Sequence, residues 1–440
     1  MKIITPIQLK EMLHDKEELA LLDVREQGVF ANEHPLFGCC VPLSHLELKL
    51  GDLVPRQNTR IVLVDQGPLD KSGLAERGAD RLASFGYSNV AILEGGIEGW
   101  RKAGFQLFSG VNVLSKAFGE FVEFTYHTPR LTAMELKAKL DAGQNVVILD
   151  ARPKEEYQRM SIPGGIDLPG AELVYRVHDV APDPETEVVV NCAGRTRSII
   201  GAQSLINAGI PNPVAALKDG TMGWQLAGFE LEYGQKRHAP VPSAAGLRKA
   251  RACAEQVANR FGVKKVKRDT LDAWAEETDT RTLYVVDVRL PKEFEAGHLE
   301  GARNAPGGQL VQTTDEYVAV RNARLVLVDD NEVRATMSAS WLVQMGWTDV
   351  YVLAGGIGDG PLVPGPHQSK ILGFEEKESL SPKELKAMLA SDDGISVVDL
   401  ASSVEYKNRH IPGAWWGVRS RLASDLSLIP PMDSFVLTST

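Results

Sequence analysis

Short apolar runs that end in an aspartate recur along this chain at domain-sized intervals. They close at Asp23, Asp150, Asp287 and Asp399. The runs do not alternate between apolar and polar positions, and several of their residues are β-branched. This pattern predicts strands that are buried on both faces of a parallel sheet.

A second apolar run follows the first at a fixed distance in three of the copies. It ends at Asp65, Cys192 and Asp329, and each of these residues comes 42 positions after the aspartate that closes the first run. Three identical spacings indicate an internal repeat, which is the signature of tandem domains.

The segments around these runs have helical character. Each copy opens on an amphipathic stretch, and in three copies a Ser or Thr suited to the N-cap precedes it, at Thr5, Thr132 and Ser381. After the second run come a helix, a turn and another strand that leads into glycine. Alternating strands and helices predict an α/β fold of tandem domains, each a parallel sheet flanked by helices on both faces.

The repeats and the segments between them define the predicted organisation. Its boundaries are repeat 1 at 1–108, repeat 2 at 129–235, a helical linker at 236–266, repeat 3 at 267–360 and repeat 4 at 379–440. Repeat 4 is expected to be truncated, since its second apolar run, 435–439, is where the sequence stops. A half sheet leaves edges and apolar faces uncovered, so repeat 4 is expected to pack on another repeat or on a partner, unless the native chain continues past Thr440.

Composition narrows the classes of function. Of the 440 residues 24% are charged and 43% hydrophobic, which is typical of globular domains. A net charge of −10 argues against nucleic-acid binding, and no apolar stretch is long enough to cross a bilayer. The N-terminus has no extended apolar core before Pro6, which predicts no secretory signal. Four cysteines do not make a disulfide framework, and a cytoplasmic location is expected.

The residue that ends the second strand is the candidate for chemistry, because open α/β sheets bind ligands beyond the carboxyl ends of their strands. Only repeat 2 has a nucleophile there, Cys192. A short loop with a glycine follows and leads into a helix at Ser198, so its backbone N–H groups should form an anion nest. With Arg195 and Arg197 adding positive charge, this setting favours a thiolate. The predicted substrate-binding residues are Ala193, Gly194, Arg195, Thr196, Arg197 and Ser198.

These motifs resemble the rhodanese superfamily of sulfurtransferases, as a tandem array over essentially the whole chain. The six-residue loop from Cys192 to Arg197 has the length of that family's active loop and ends in Arg. Flanking signatures of the family resemble the segments 410–414, 161–165, 95–100 and 220–224. There are two departures: Gly194 is third in the loop, where many members have glycine fourth, and Ser161 stands where the family usually has His.

The resemblance implies a thiosulfate-type sulfurtransferase. The Cys192 thiolate would attack the outer sulfur of a donor such as thiosulfate, and the resulting persulfide would pass sulfur to cyanide or a thiol. Arg195 and Arg197 would attract and orient the anionic donor. No metal or organic cofactor is implied, and the expected partners are small molecules, with a protein sulfur acceptor as a further option.

Two other functions stay open at this point. The chain could be a persulfide relay or scaffold that docks partners through its degenerate repeats. Phosphatase or arsenate reductase chemistry is disfavoured, because related phosphatases have Arg six positions after Cys, where this chain has Ser198. The donor, the acceptor and the oligomeric state are not determined by the sequence.

The aspartates of the other repeats carry a separate prediction. Asp65 and Asp329 should be pseudo-site residues, each placing a carboxylate in a nest like that of Cys192, unless they are simply exposed loop residues. Arg334 comes five positions after Asp329, as Arg197 does after Cys192, while repeat 1 has Asp70 there. The recurring Asp-x-Arg pairs should brace the first strand. In repeat 2, however, Asp150 and Arg152 are kept as possible supporting residues, since Arg152 could also contact an anionic substrate.

Overall fold

Four α/β units follow one another along the chain in the computed structural model. The structure describes residues 2–68, 71–277, 279–358, 360–376, 378–391, 394–430 and 434–439. Within each unit the strands pair in parallel and helices flank the sheet. The predicted fold class is therefore confirmed.

Repeat 1 begins with a strand and a capped helix. The Thr5 hydroxyl accepts a hydrogen bond from Gln8 N, and Pro6 starts the helix where no N–H is needed. The sheet order is β1-β5-β4-β2, with β3 beside β2. The elements are β1 (Lys2–Ile4), α1 (Pro6–Met12), β2 (Leu19–Asp23), α2 (Gln27–Phe30), β3 (Cys39–Cys40), α3 (Leu46–Leu53), β4 (Ile61–Val64), α4 (Leu74–Ser84), β5 (Val90–Leu93) and α5 (Gly96–Lys102).

A helix, α6 (Val113–Tyr126), connects repeat 1 to repeat 2. The second sheet has the order β6-β10-β9-β7-β8, so that Cys192 directly follows the middle strand. The elements are β6 (Arg130–Leu131), α7 (Ala133–Asp141), β7 (Val146–Asp150), α8 (Lys154–Arg159), β8 (Ile166–Asp167), α9 (Glu172–Val180), β9 (Glu187–Asn191), α10 (Thr196–Asn207), β10 (Val214–Leu217) and α11 (Gly220–Leu226).

Repeat 3 follows the long helix α12 (Ala244–Phe261) and has the sheet order β11-β16-β15-β12-β13. Its elements are β11 (Lys264–Val266), α13 (Arg268–Ala275), β12 (Leu283–Asp287), α14 (Pro291–Ala296), β13 (Arg303–Asn304), α15 (Gly307–Gln312), α16 (Thr314–Tyr317), β14 (Val320–Arg321), β15 (Arg324–Val328), α17 (Val333–Gln344) and β16 (Val350–Leu353).

The predicted linker 236–266 is too long at both ends. Lys264–Val266 is strand β11, which pairs with β16, because Gly262 ends α12 in a left-handed conformation and lets the chain turn into the sheet. At the other end, His238 forms a β-bridge with Asp167 of repeat 2. Only the middle of the segment is helical.

Repeat 4 is a small unit with a three-stranded sheet in the order β18-β17-β19. Its elements are α18 (Pro382–Ala390), β17 (Ile395–Asp399), α19 (Ser403–Asn408), β18 (Trp415–Trp416), α20 (Leu422–Leu426) and β19 (Ser434–Thr438). Arg419 forms an ion pair with Glu47 of repeat 1, and Arg77 donates to the Ser420 carbonyl. Repeat 4 therefore contacts repeat 1 through polar groups, but Trp415, Phe435 and Leu437 remain exposed, so its apolar side chains are not covered as predicted.

The repeats also share hydrophobic cores, including repeats that are not neighbours in the sequence. Strand β14 of repeat 3 pairs antiparallel with β2 of repeat 1, and one hydrophobic cluster contains residues of both units. A second cluster joins repeats 2 and 3 with the linker helices α6 and α12. Among the described residues, no helix combines the length and apolar character needed to cross a membrane.

Candidate active site

Cys192 lies at the carboxyl end of β9, and its side chain is almost fully buried. Its Sγ is 3.6 Å from the Ser198 hydroxyl oxygen, and that hydroxyl donates to the Arg195 carbonyl at 2.7 Å. Helix α10 begins at Thr196, so the loop between strand and helix is short. The structure thus places the thiol beside a helix N-terminus, where unpaired backbone N–H groups favour an anion.

The carbonyl side of the loop is held by helix α11. Thr221 N donates to the Cys192 carbonyl at 2.8 Å, and Met222 N donates to the Ala193 carbonyl at 3.1 Å. A Cβ at Gly220 would come within 2.3 Å of the Cys192 carbonyl oxygen, so only glycine fits there. Gly96 and Gly356 make the same close approach to the carbonyls of Asp65 and Asp329, which explains the recurring glycine.

Both loop arginines are paired with carboxylates. Arg197 forms two hydrogen bonds of 2.8 Å to Glu156, and Arg195 forms ion pairs with Glu120 and Glu123 of α6. Burial alone lowers the pKa of Arg197, but the bonds to Glu156 raise it above its ordinary value. In the structure, therefore, three glutamates offset the positive charge of the two arginines.

The Asp-x-Arg pair of repeat 2 is a buried brace. Arg152 donates through Nε and Nη2 to Asp150, at 2.8 and 2.7 Å, and through Nη2 to the Met160 carbonyl. Repeats 1 and 3 build the same arrangement, with Arg25 reaching the Glu33 carbonyl and Arg289 the Gly297 carbonyl. Its recurrence in repeats without a nucleophile matches the structural interpretation.

The Asp329 carboxylate accepts four hydrogen bonds from backbone N–H groups. The donors are Asn331, Glu332, Arg334 and Ala335, at 3.2, 2.5, 2.8 and 3.3 Å. Asp329 is 1% exposed, and burial raises its pKa to about 6 against the opposing effects of Arg334 and the backbone. This confirms the predicted nest, and the alternative of an exposed loop residue is wrong.

Asp65 is also buried, but its loop is built differently. The carboxylate accepts from Gly67 N at 2.8 Å and from Ala75 N at 3.1 Å. Helix α4 begins at Leu74, nine residues after Asp65, whereas α10 and α17 begin four residues after Cys192 and Asp329. The longer loop shows that repeat 1 has diverged more than repeat 3, and Asp70 itself lies outside the described residues.

Arg334 is completely buried and serves two repeats. Its Nη1 bonds to Glu293 at 2.8 Å, and that pair is spaced along the chain as Arg197 and Glu156 are. The same Nη1 lies 2.8 Å from Glu172 of repeat 2, and Nη2 pairs with Asp330. Repeat 3 thus keeps the arginine of the loop but uses it at the joint with repeat 2.

The other three thiols lie in settings that disfavour ionisation. Cys39 donates to the Asp315 carbonyl at 2.9 Å, and burial raises its pKa well above the usual value. Burial also raises the pKa of Cys40 to about 12 and raises that of Cys253. These thiols stay protonated at neutral pH and are poor nucleophiles.

Several residues of the site were not predicted from the sequence. Glu156 and the α6 glutamates hold the arginines, and a pair formed by Asn191 and Thr221 lies directly behind the loop. One signal was available for Asn191, since the equivalent last strand residues of the other two repeats are valines. The glutamates gave no such signal, because their contacts depend on how helices pack.

Comparison with known families agrees with this geometry. A model of the rhodanese-like domain matches residues 5–103, 132–227 and 268–359. The chain belongs to the rhodanese family. In this tandem rhodanese the three matches contain the loops of Cys192, Asp65 and Asp329.

A solved structure resembles this rhodanese over its full length. The crystal structure of a thiosulfate sulfurtransferase from Pseudomonas aeruginosa has a TM-score of 0.94 and 51% sequence identity, and the match covers 100% of this chain and 82% of that one.

Curated relatives match single repeats. Thiosulfate sulfurtransferase GlpE of Pseudomonas aeruginosa is 32% identical over 74 residues, or 16% of this chain and 64% of its own. An HTH-type transcriptional regulator of Mycobacterium tuberculosis is 35% identical over 111 residues, or 25% and 46%. The chain thus spans about half to two thirds of these relatives' length.

Proposed function

We propose that this rhodanese is a sulfurtransferase in which Cys192 carries sulfur as a persulfide. The thiolate attacks the outer sulfur of thiosulfate or a similar donor, and the donor's S–S bond breaks with its electron pair to release sulfite. Cyanide or a thiolate then attacks the terminal sulfur of the persulfide, and the Cys192 thiolate is regenerated. Repeat 2 performs this chemistry, while repeats 1, 3 and 4 support it structurally.

The observation that carries the proposal is the carboxylate held in the loop of repeat 3. Backbone N–H groups two, three, five and six positions after Asp329 bind it. The equivalent donors after Cys192 belong to Gly194, Arg195, Arg197 and Ser198. A loop of the same length that leads into a helix can stabilise a thiolate or persulfide anion by the same electrostatic means.

The loop arginines act in this proposal as positioning groups. Arg197 is fixed by Glu156 and Arg195 by the α6 glutamates, so the backbone of Ala193 to Ser198 supplies most of the binding to an anionic donor. Donor use should therefore depend only weakly on salt, since few unpaired charges are there to be screened. The Asp150–Arg152 brace supports the neighbouring strand and does not touch the donor.

A persulfide relay that hands sulfur to a protein acceptor is the second candidate. The near-complete burial of Cys192 favours it, because a buried thiol limits free exchange with small molecules. Free thiols at all four cysteines fit a reducing compartment, and we propose the cytoplasm.

Thiocyanate formation from thiosulfate and cyanide tests the proposal. Wild type should turn over, and Cys192→Ser should lose at least roughly 1,000-fold in rate, since the nucleophile is gone. Mass spectrometry after thiosulfate treatment should find one labile sulfur on the Cys192 peptide, and Cys253→Ser should behave as wild type. Sulfur on Cys39, Cys40 or Cys253 instead would refute the assignment, and a loaded Cys192 without turnover would favour the relay.

A further inference from the structure

Behind the loop of Cys192 lies a pair of buried polar residues with no counterpart in the other two complete repeats. Asn191 is the last residue of β9 and Thr221 lies in the first turn of α11, and both are at most 1% exposed. Repeat 1 has Val64 and Ile97 at these positions, and repeat 3 has Val328 and Ile357. These positions are equivalent because they make the same contact in each repeat. The Thr221 N–H donates to the Cys192 carbonyl at 2.8 Å. The Ile97 N–H donates to the Asp65 carbonyl at 2.9 Å, and the Ile357 N–H to the Asp329 carbonyl at 2.8 Å.

The two side chains extend that contact into a chain of hydrogen bonds. Asn191 Nδ2 lies 2.9 Å from Asp150 Oδ2 and 3.0 Å from Thr221 Oγ1. Thr221 Oγ1 lies 3.1 Å from the Cys192 carbonyl oxygen. The Cys192 carbonyl therefore accepts from two donors, the N–H and the hydroxyl of Thr221. In repeats 1 and 3 the valine–isoleucine pair leaves the equivalent carbonyl with the N–H alone from this position.

The direction of each bond follows from the chemistry of the groups. Asp150 is bound to Arg152 and accepts, so the atom of Asn191 that faces it must be the amide nitrogen. The same nitrogen donates to the Thr221 oxygen, which leaves the single hydroxyl proton of Thr221 to go to the Cys192 carbonyl. The chain thus runs one way, from the amide of Asn191 to the carbonyl of Cys192.

Its end point is the peptide that joins Cys192 to Ala193. Two donors on the carbonyl fix the plane of this peptide. Because it is the first peptide of the loop, its plane helps to set the direction of the N–H groups that follow it. The arrangement is not simply a way to fill space, because Asn191 Oδ1 is buried without a hydrogen-bond partner, a cost that valine would not incur.

We propose that Asn191 and Thr221 are positioning residues for sulfur transfer, which hold the Cys192–Ala193 peptide so that the loop stabilises a thiolate or persulfide. The inference rests on the proposed function of Cys192. It explains why Asn191 and Thr221 occur in the repeat that has the cysteine. The repeats that have an aspartate at the cysteine position have valine and isoleucine instead of this pair. The Asp329 carboxylate takes no part in a reaction, whereas the sulfur must gain and lose negative charge in each cycle.

The test compares Thr221→Val, which removes the hydroxyl at nearly constant volume, with Thr221→Ser, which keeps it. Thr128→Val is the matched control, because Thr128 is buried next to repeat 2 and its hydroxyl bonds to Gln203 at 2.7 Å, away from the loop. The readout is the rate of alkylation of Cys192 against pH, followed on its own peptide by mass spectrometry, together with the rate of persulfide formation from thiosulfate.

Thr221→Val should slow the alkylation of Cys192 at neutral pH and slow persulfide formation, each about 2- to 10-fold, the effect of one lost hydrogen bond. In Thr221→Ser both rates should stay within about twofold of wild type, and in Thr128→Val both rates should equal those of wild type. A Thr221→Val profile that overlays wild type would overturn the inference. Alkylation needs no sulfur transfer, so failure of the proposed function would leave this readout intact, and thiocyanate turnover with an unchanged profile would refute only the positioning role.

Discussion

The loop after β9 and the loop after β15 use the same length of chain to reach a helix, yet they hold different groups in different surroundings. Cys192 lies in one with a polar pair behind it, and Asp329 lies in the other with apolar residues behind it. Backbone conformation differs at the fourth loop position, where φ is −134° at Arg195 and 67° at Glu332. The arginine that follows pairs with a glutamate in both loops, but only Arg334 also binds a second repeat.

The difference shows how an anion-binding loop becomes a structural joint. A permanent carboxylate satisfies the donors that a sulfur anion would use, so the loop of repeat 3 needs no ligand. Its arginine then becomes available for Glu172 across the boundary, where both charges are buried. Repeat 2 has Cys192 where repeat 3 has this carboxylate, as the proposed sulfur transfer requires.

Moving the nucleophile should show the largest effect. In a Cys192→Ser, Asp329→Cys double variant, we expect sulfur transfer to be at least roughly 100-fold slower than in wild type, because the loop of repeat 3 lacks the polar pair and is locked by Arg334. Thiocyanate formation measures this, with the Cys192→Ser single variant as the baseline. Activity near that of wild type would mean that the two loops differ only in their first residue.

The next prediction compares how much Arg334 and Arg197 stabilise the fold. Arg334→Leu removes a fully buried guanidinium and takes this partner from the buried Glu172, which should destabilise the joint by about 3 kcal/mol. Arg197→Leu removes a pair whose Glu156 side chain is 38% exposed, and should cost about 1 kcal/mol. Hydrogen exchange read on peptides of α17 and α10 reports each helix separately. Equal loss of protection in the two helices would contradict the role of Arg334 as a joint.

The pH dependence of stability should also separate the two loops. Asp329 titrates near pH 6 in the folded chain, above its ordinary value of 3.8. Between these values the unfolded chain has released its proton and the folded chain has not, so stability falls as pH rises and then levels off above about pH 6. The total effect is about 3 kcal/mol.

Asp329→Asn should remove this slope, and the difference between the two unfolding curves measures it. The comparison cancels Asp167 and Asp315, whose pKa values burial also raises to about 6. An unchanged slope in Asp329→Asn would show that the Asp329 carboxyl does not titrate in this range.

Patterns that repeat along the chain predicted the parts of the site made by local backbone. The common spacing identified Cys192 and the nest around Asp329, because a strand, a short loop and a helix bring these groups together without help from elsewhere. In repeat 1 the spacing located Asp65 but not the helix after it, because the loop between them is five residues longer than in repeat 2. The predicted start of repeat 3 was wrong, since three residues assigned to the linker join its sheet.

Such patterns did not predict which groups pair with the loop arginines. Glu120 and Glu123 lie on α6, and only the docking of that helix on α10 brings them to Arg195. Glu172 meets Arg334 across a repeat boundary for the same reason. Contacts between elements far apart in sequence depend on tertiary packing, and one sequence contains no period that marks them.

The pairing of strand β14 makes the repeats depend on one another. Because a strand of repeat 3 completes the edge of the repeat 1 sheet while repeat 2 lies between them in sequence, the units are interlaced rather than strung in a row. Deleting the third unit would strip the first of an edge strand and bare the core they share. Loss of a single unit would therefore destabilise its neighbours, as it would not in a chain of independent modules.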